Sequence, residues 1–281
     1  MAVEILNNDQ RNAEDQRWHD RARRLEFRGN YLAAIDCYDE AIKIDSQNSN
    51  AWYGRALAQI ALGRYPSAAA SLARATQTNP QDYWAWYERG YLLLEELNQF
   101  KAAIACFEQA LVLSPQDYWS WYRLGDAFRQ MKCYQTAISN YDRALALRPD
   151  DYWTWHRRGD ALRGDGNYPA AIANYERALI LDEQAFWPWY KRAESFRSLH
   201  RYREAIASYQ KALQLEPDDE YSWYNQACCA AKGGQMTLTL KSLQKAVHLN
   251  PSNRELARID RDFTLMKNCW QFQGLVHAER N

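Results

Sequence analysis

The sequence predicts an all-α fold, a solenoid of stacked helical hairpins, on three observations. Seven tryptophans, Trp18, Trp52, Trp86, Trp121, Trp155, Trp189 and Trp223, fall at steps of 34, 34, 35, 34, 34 and 34 residues. A fixed period of this length belongs to repeat architectures. After each tryptophan a small residue follows at i+4, and in most units a large apolar one at i+7, which together mark one face of a helix turning about 100° per residue. Gly29, Gly63, Gly166 and Gly234 recur where one helical half of a unit gives way to the next, a place where positive φ is cheap only for glycine. A single unit leaves an apolar side bare, so stacking on neighbours is what stabilises it.

Taken in order, residues 1–14 are polar and acidic without a helical period and are expected as a frayed lead-in. With the tryptophan at position 4, seven units follow at 15–48, 49–82, 83–117, 118–151, 152–185, 186–219 and 220–253. The first has Trp18, Ala22, Leu25, Ala34, Tyr38 and Ala41, with Ser46 where later units close on proline. The second has Trp52, Ala56, Ala68, Leu72, Ala75 and Pro80. The third has Trp86, Gly90, Leu93, Ala103, Phe107, Ala110 and Pro115, and its extra residue is placed by counting in the turn near Asn98. The fourth, from Tyr118, has Trp121, Leu124-Gly125, Phe128, Ala137, Tyr141, Ala144 and Pro149. The fifth and sixth repeat this with Gly159 or Ala193 at position 8 and Tyr175 or Tyr209 at position 24. The seventh keeps Trp223, Ala227, Ala246 and Pro251, with Thr239 and Leu243 as weaker matches. After Pro251 the period is lost. Leu256, Ile259, Phe263 and Leu265 suggest a further helix, and Trp270, Phe272, Leu275 and Val276 an apolar anchor, so 254–281 is expected to cap the last unit.

The fourth unit resembles the tetratricopeptide repeat, W-x2-L-G-x2-Y…A-x3-F…A…P, at nearly every marked place, and the resemblance covers about 15–251. It implies a right-handed α-α superhelix in which positions 2, 5, 9 and 12 of each first helix line a concave groove that receives ligands. Position 2 reads Trp84, Trp119, Trp153, Trp187 and Tyr221, and position 5 reads Tyr53, Tyr87, Tyr122, His156, Tyr190 and Tyr224. Position 9 reads Asp126, Asp160 and Glu194, and position 12 reads Arg129, Arg163 and Arg197. Carried over, these make an aromatic ladder flanked by acidic and arginine rows, none of which the repeat pattern requires. A structural reading stands beside it: the position-2 rings could pack on the neighbouring first helix, and each acid–arginine pair at i, i+3 could satisfy itself, worth about 0.2–0.5 kcal/mol. The position-4 tryptophans are expected in the core. Arg55, Arg89, Arg158 and Arg192 depart from the family's leucine at position 7, and their stems can cover apolar surface while the heads reach outward.

Composition limits the function classes. Lys+Arg 35 balances Asp+Glu 35, which argues against a nucleic-acid or anionic-membrane partner held by bulk charge. Twelve tryptophans and nineteen tyrosines are the unusual feature. No apolar run reaches the roughly 18–20 residues of a membrane span, and the first residues lack the basic-then-apolar pattern of a signal peptide. Cys37, Cys106, Cys133, Cys228, Cys229 and Cys269 lack the spacing of a disulfide framework and are expected as buried reduced thiols of a cytoplasmic protein. No H-E-x-x-H, zinc-spaced cluster, G-x-S-x-G, P-loop or dinucleotide fingerprint is present, so neither an enzyme nor a cofactor or metal site is expected. The leading expectation is a protein-interaction scaffold or adaptor, a monomer or weak homodimer, holding a zwitterionic or apolar-aromatic peptide of a partner protein, in the manner of family members that assemble large complexes. The alternatives are a single-stranded RNA reader stacking bases on the rings and a self-associating scaffold.

Overall fold

The computed structural model describes residues 8–277, and side chains from residue 14. Among the described residues there is no strand. By contacts the chain divides into two compact units, 1–147 and 148–281. The first holds α1 (Asn8–Phe27), α2 (Tyr31–Ile44), α3 (Ser49–Ala61), α4 (Tyr65–Thr78), α5 (Tyr83–Glu95), α6 (Phe100–Leu113), α7 (Tyr118–Gln130) and α8 (Tyr134–Leu147). The second holds α9 (Tyr152–Gly164), α10 (Tyr168–Leu181), α11 (Phe186–Ser198), α12 (Tyr202–Leu215), α13 (Glu220–Lys232) and α14 (Met236–Leu249), then α15 (Asn253–Ile259), a 3₁₀ turn (Arg261–Met266) and α16 (Trp270–His277). Of the expected lead-in, residues 1–7 lie outside the described residues, and from Asn8 onward the chain is already helical.

Within each unit the odd-numbered helix of a repeat, its A helix, packs on the following B helix, and each B helix packs on the next A helix. Short connections force the pairs antiparallel. The A–B turn carries one positive-φ residue in every repeat. Four are the expected Gly29, Gly63, Gly166 and Gly234, but Asn98, Lys132 and His200 take the same conformation without being glycine. The A–B link of the third repeat, 96–99, is one residue longer than the others, which is where the 35-residue step arises.

The centre of every hairpin is position 24. Tyr38, Leu72, Phe107, Tyr141, Tyr175, Tyr209 and Leu243 are all essentially inaccessible to solvent. Small residues clear their space: a Cβ on Gly125 would sit 2.7 Å from the Tyr141 ring, and one on Gly159 would sit 2.7 Å from the Tyr175 ring. The position-4 tryptophans are half-buried, Trp18, Trp86, Trp121 and Trp223 packing against the core clusters from their edge and not fully inside them as expected. Their indole N–H explains their recurrence. Trp86 donates to Pro80 O at 3.0 Å, Trp121 to Pro115 O at 2.9 Å, Trp189 to Glu183 O at 3.0 Å and Trp223 to Pro217 O at 2.8 Å. Each ring thus pins the link entering its repeat.

The C-terminal segment covers the last repeat with half of the residues its hydropathy suggested, Phe263, Phe272, Leu275 and Val276. Ala257, Phe263, Met266, Phe272 and Val276 are buried against α13 and α14. Leu256, Ile259, Leu265 and Trp270 are exposed. The 3₁₀ turn packs onto α13.

Candidate aromatic face of the A helices

The A helices begin alike because an aspartate precedes most of them. Asp82, Asp117, Asp151 and Asp219 accept from the backbone N–H three residues on, at 3.2, 2.6, 2.7 and 2.7 Å, which satisfies an orphan donor of the first turn. In α5, α7, α9 and α11 that turn then carries rings at positions 1, 2, 4 and 5. The rings at 1 and 5 stack in the i, i+4 relation: Tyr83 on Tyr87 at 6.0 Å, Tyr118 on Tyr122 at 6.0 Å, Tyr152 on His156 at 6.1 Å and Phe186 on Tyr190 at 5.8 Å. Beneath them, position 5 meets the buried position-24 ring, as Tyr122 meets Tyr141 at 6.0 Å and Tyr190 meets Tyr209 at 5.8 Å. The position-2 ring stands edge-on to this stack, Trp119 lying 4.9 Å from Tyr118 and Trp187 5.2 Å from Phe186.

The two expected aromatic rows therefore separate by depth. Trp84, Trp119, Trp153, Trp187 and Tyr221 are 44–65% exposed. Tyr122, His156 and Tyr224 are buried, and Tyr53, Tyr87 and Tyr190 half-buried, as the layer under them. Burial pushes the Tyr53 and Tyr190 hydroxyls up to about 12, the charges of Glu88 and of Glu194 adding to the shift. These hydroxyls stay neutral across the physiological range. The exposed indoles are held edge-on by the rings at positions 1 and 5, Trp187 by Phe186 and Tyr190 and Trp84 by Tyr83 and Tyr87.

The acidic and arginine rows are engaged within the protein. Asp126, 5% exposed, accepts from Tyr141 Oη at 2.8 Å and from Arg129 Nη2 at 3.3 Å. Asp160 accepts from Tyr175 Oη at 2.9 Å. Glu194, one methylene longer, turns outward to Lys191 at 3.0 Å and Arg163 at 3.6 Å. Arg163 thus reaches the next repeat, as does Arg197, which donates to Asn225 at 2.8 Å and to Asp262 at 2.8 Å. Tyr209, packed under Glu194, has a buried hydroxyl with no hydrogen-bond partner among the described residues. The acid row is therefore internal wiring more than a charge offered outward.

A second cation row escaped the sequence reading. Position 6 holds Arg123 in the first unit and Arg157 and Lys191 in the second. Arg123 lies over the Tyr91 and Tyr122 rings at 4.9 and 5.4 Å, and Lys191 lies over the Trp187 and Tyr190 rings at 5.8 and 5.1 Å. The signal was present as a basic residue four after each of Trp119, Trp153 and Trp187, a spacing that shares one helix face. The position-7 arginines, by contrast, are structural. Arg55 bridges Asp39 at 2.7 Å and Ser71 at 2.9 Å, Arg192 bridges Glu176 at 2.8 Å and Ser208 at 3.1 Å, and both lie over their own position-4 indole.

The chemistry-bearing groups elsewhere are few. All six cysteines are free, four of them buried, but Cys133 is exposed and Cys269 half-exposed, contrary to the expectation that all would be buried. Cys228, Asp260 and Asp262 bring one donor atom each within 4.8 Å of one another. The positive charge beside them comes from Arg197 and from Lys232, at 2.8 and 3.5 Å from Asp262. Among the described residues no helix is long and apolar enough to cross a membrane.

Comparison with known proteins agrees with this architecture. Models described as tetratricopeptide repeat match residues 19–83 and 55–116, 117–184, and 187–219. Over 75 residues the chain is 35% identical to a tetratricopeptide repeat and J domain-containing co-chaperone of Cryptococcus neoformans, a match spanning 27% of this chain and 14% of that protein's length. Among solved structures, the C-terminal part of a TPR repeat-containing protein from Cytophaga hutchinsonii aligns with TM-score 0.69 at 16% identity, over 84% of this chain and 97% of that one. YrrB, described as a TPR protein with an unusual peptide-binding site, aligns with TM-score 0.57 at 20% identity, over 65% and 94%. MamA aligns with TM-score 0.58 at 21% identity, over 62% and 94%. At such identities the structures speak for the fold alone. With its 34-residue period, A–B hairpins and matching repeat models along most of its length, the chain belongs to the tetratricopeptide repeat family.

Proposed function

We propose that the protein is a non-enzymatic interaction scaffold, and that in each unit the exposed position-2 rings of the A helices hold a segment of a partner protein. The observation that carries this is the repetition of one large exposed ring at the same repeat position, Trp84 and Trp119 in the first unit and Trp153, Trp187 and Tyr221 in the second. Scattered exposed aromatics need no explanation, but a series supported from below by a second aromatic layer is a surface suited to burial. Indole and phenol rings bury much area at little entropic cost, and such groups dominate binding energy at interfaces. The peptide-binding description of YrrB, a neighbour in fold, agrees with this reading. Six cysteines without a disulfide fit a reducing compartment, so we place this scaffold in the cytoplasm, acting in the assembly of a larger complex.

The test is selection of binding peptides from a random library against the full chain, followed by titration of Trp153→Ala/Trp187→Ala. At least a tenfold loss of affinity with unchanged helical circular dichroism supports the reading. Equal affinity for both proteins removes it. Single-stranded RNA and a second copy of the chain are the competing occupants. Binding of random RNA that falls steeply with salt, or a dimer mass by light scattering that reverts to monomer in the double variant, would replace the peptide reading.

A further inference from the structure

We infer that the outer face of α1 receives an acidic amphipathic helix of a partner protein, its carboxylates set one helical turn apart to meet a stripe of arginines. No position-2 ring takes part, so this surface is distinct from the aromatic face.

Arg17, Arg21 and Arg24 stand at i, i+4 and i+7 of α1, on one side of the helix, and Arg28 follows at i+11 where the helix ends. These are positions 3, 7, 10 and 14 of the first repeat. In later repeats positions 3 and 10 are small and face the repeat before. Ala51 and Ala58 are fully buried in the core built on α2, and Ala127 in the core that contains Phe107 of α6. In α1 both places hold exposed arginines instead.

Arg21, at position 7, keeps the posture of its counterparts. It lies over the Trp18 indole at 5.3 Å, as Arg55 lies over Trp52 at 5.7 Å and Arg192 over Trp189 at 5.4 Å. What it lacks is their carboxylate. Arg55 donates to Asp39 on α2 at 2.7 Å, and Arg192 to Glu176 on α10 at 2.8 Å, in each case from the B helix of the repeat before. Among the described residues no side-chain hydrogen bond or ion pair is made by Arg17, Arg21, Arg24 or Arg28. The acids of α1 are turned to other work: Asp15 accepts from Asn48, Glu26 from Tyr38 and Asp20 from Gln16. With Arg23 beside the stripe the face is positive.

A terminal face must be polar to remain soluble. That requires neither five charges of one sign nor Phe27, which is 94% exposed among them. A phosphate strand would also meet arginines. A helix is favoured by the chain's own usage, because the groups that meet position-7 guanidinium groups elsewhere are carboxylates carried on a helix. The chain is neutral overall, so it adds no long-range attraction for a polyanion. The arginines at positions 3 and 10 hold the incoming helix farther off than a B helix, at the reach of paired side chains. Both helices rise about 1.5 Å per residue, so carboxylates at i, i+4, i+7 and i+11 match the stripe read in either direction. An apolar residue beside them covers Phe27.

The experiment uses the full chain and the fluorescence anisotropy of labelled peptides. The probe is an alanine-based helix with Glu at i, i+4, i+7 and i+11 and Leu on the adjoining stripe. Controls are the same helix with Gln or with Lys at the four places, and labelled oligouridylate. Saturable binding of the Glu helix is expected, at least tenfold weaker for the Gln form, absent for the Lys form and reduced by salt. Arg17→Gln/Arg24→Gln should weaken it at least tenfold with unchanged helical circular dichroism, and Phe27→Ser should weaken it severalfold. Lys241→Gln/Lys245→Gln removes two exposed charges from α14 and should leave the affinity unchanged. An equal loss there would mean attraction by net charge alone and would overturn the inference. Trp153→Ala/Trp187→Ala should also leave it unchanged, and a loss there would put the peptide on the aromatic face and overturn it too. No saturable binding of the Glu helix overturns it outright. Oligouridylate binding in its place, lost in Arg17→Gln/Arg24→Gln, would make the occupant nucleic acid.

Discussion

Tyr175 and Tyr209 stand at the same position of adjacent repeats, in one unit, and both are fully buried. Only one has a partner. Tyr175→Phe removes an O–H donated at 2.9 Å to the carboxylate of Asp160. Hydrogen bonds to charged groups contribute about 1.5–3 kcal/mol, and the Asp160 side chain is only 14% exposed, so water can replace the lost donor in part. Asp160 retains Arg157 at 3.6 Å, so the loss should fall toward the lower half, about 2 kcal/mol. Tyr209→Phe deletes a hydroxyl that is desolvated and unbonded. Removing such a group should cost about 0 kcal/mol or stabilise slightly. The assay is urea unfolding of each variant followed by circular dichroism. With m of about 2 kcal/mol/M, the midpoint of Tyr175→Phe should fall by about 1 M while that of Tyr209→Phe stays or rises. Equal losses in the two variants would show that the hydroxyl–carboxylate wiring contributes nothing, and that the position-24 rings act by packing alone.

Other expectations follow from the same kind of accounting. The helix α11 is preceded by Ala185, which has the extended backbone of the aspartate caps (φ −80°, ψ 117°) but no side-chain hydrogen bond. Ala185→Asp should stabilise the second unit by about 1 kcal/mol, read as a higher urea midpoint, and no gain would mean the cap geometry is not available there. Lys132 holds φ at 60°, so Lys132→Gly should stabilise the first unit by about 0.5–1 kcal/mol; destabilisation would contradict the left-handed turn. Burial raises the carboxyl pKa of Glu88. A raised folded pKa gives stability that is present below the unfolded value, about 4.3, and is lost as pH rises through the folded value. Glu88→Gln should therefore be more stable than the wild type at pH 7, with the difference closing near pH 4, and a gap independent of pH would contradict it.

Much of the fold was legible because it is periodic. The spacing of Trp18 to Trp223, the small residues at positions 8 and 20, and the turn glycines read directly as hairpins, since one helical face and one backbone conformation recur in every unit. Lys132 and His200 were not legible as positive-φ residues, because the tertiary hairpin imposes a conformation that their local preference opposes. The position-4 indoles were read as core from their size, but their N–H requires a carbonyl at the repeat boundary and holds them half-exposed. The face was legible as a set of positions and not as depths. Position 5 lies one helical turn from position 1 and stacks under it, while position 2 turns away, a difference that ring–ring geometry decides. The pairing of Asp126 and Asp160 with Tyr141 and Tyr175 carries a sequence signature seen only afterwards: Gly-Asp, with the tyrosine sixteen residues after the glycine. Ala193-Glu194 lacks it, and Tyr209 goes unbonded.

The claim on which the account turns is that the exposed rings hold a partner. It is tested most directly by affinity capture from source-cell extract with the wild type and with Trp119→Ala/Trp153→Ala, identifying retained protein and RNA, after confirming that both unfold alike. The account predicts that one or a few proteins are retained by the wild type and lost with the rings. Identical captures from the two proteins would contradict it and leave the position-2 tryptophans as part of the scaffold.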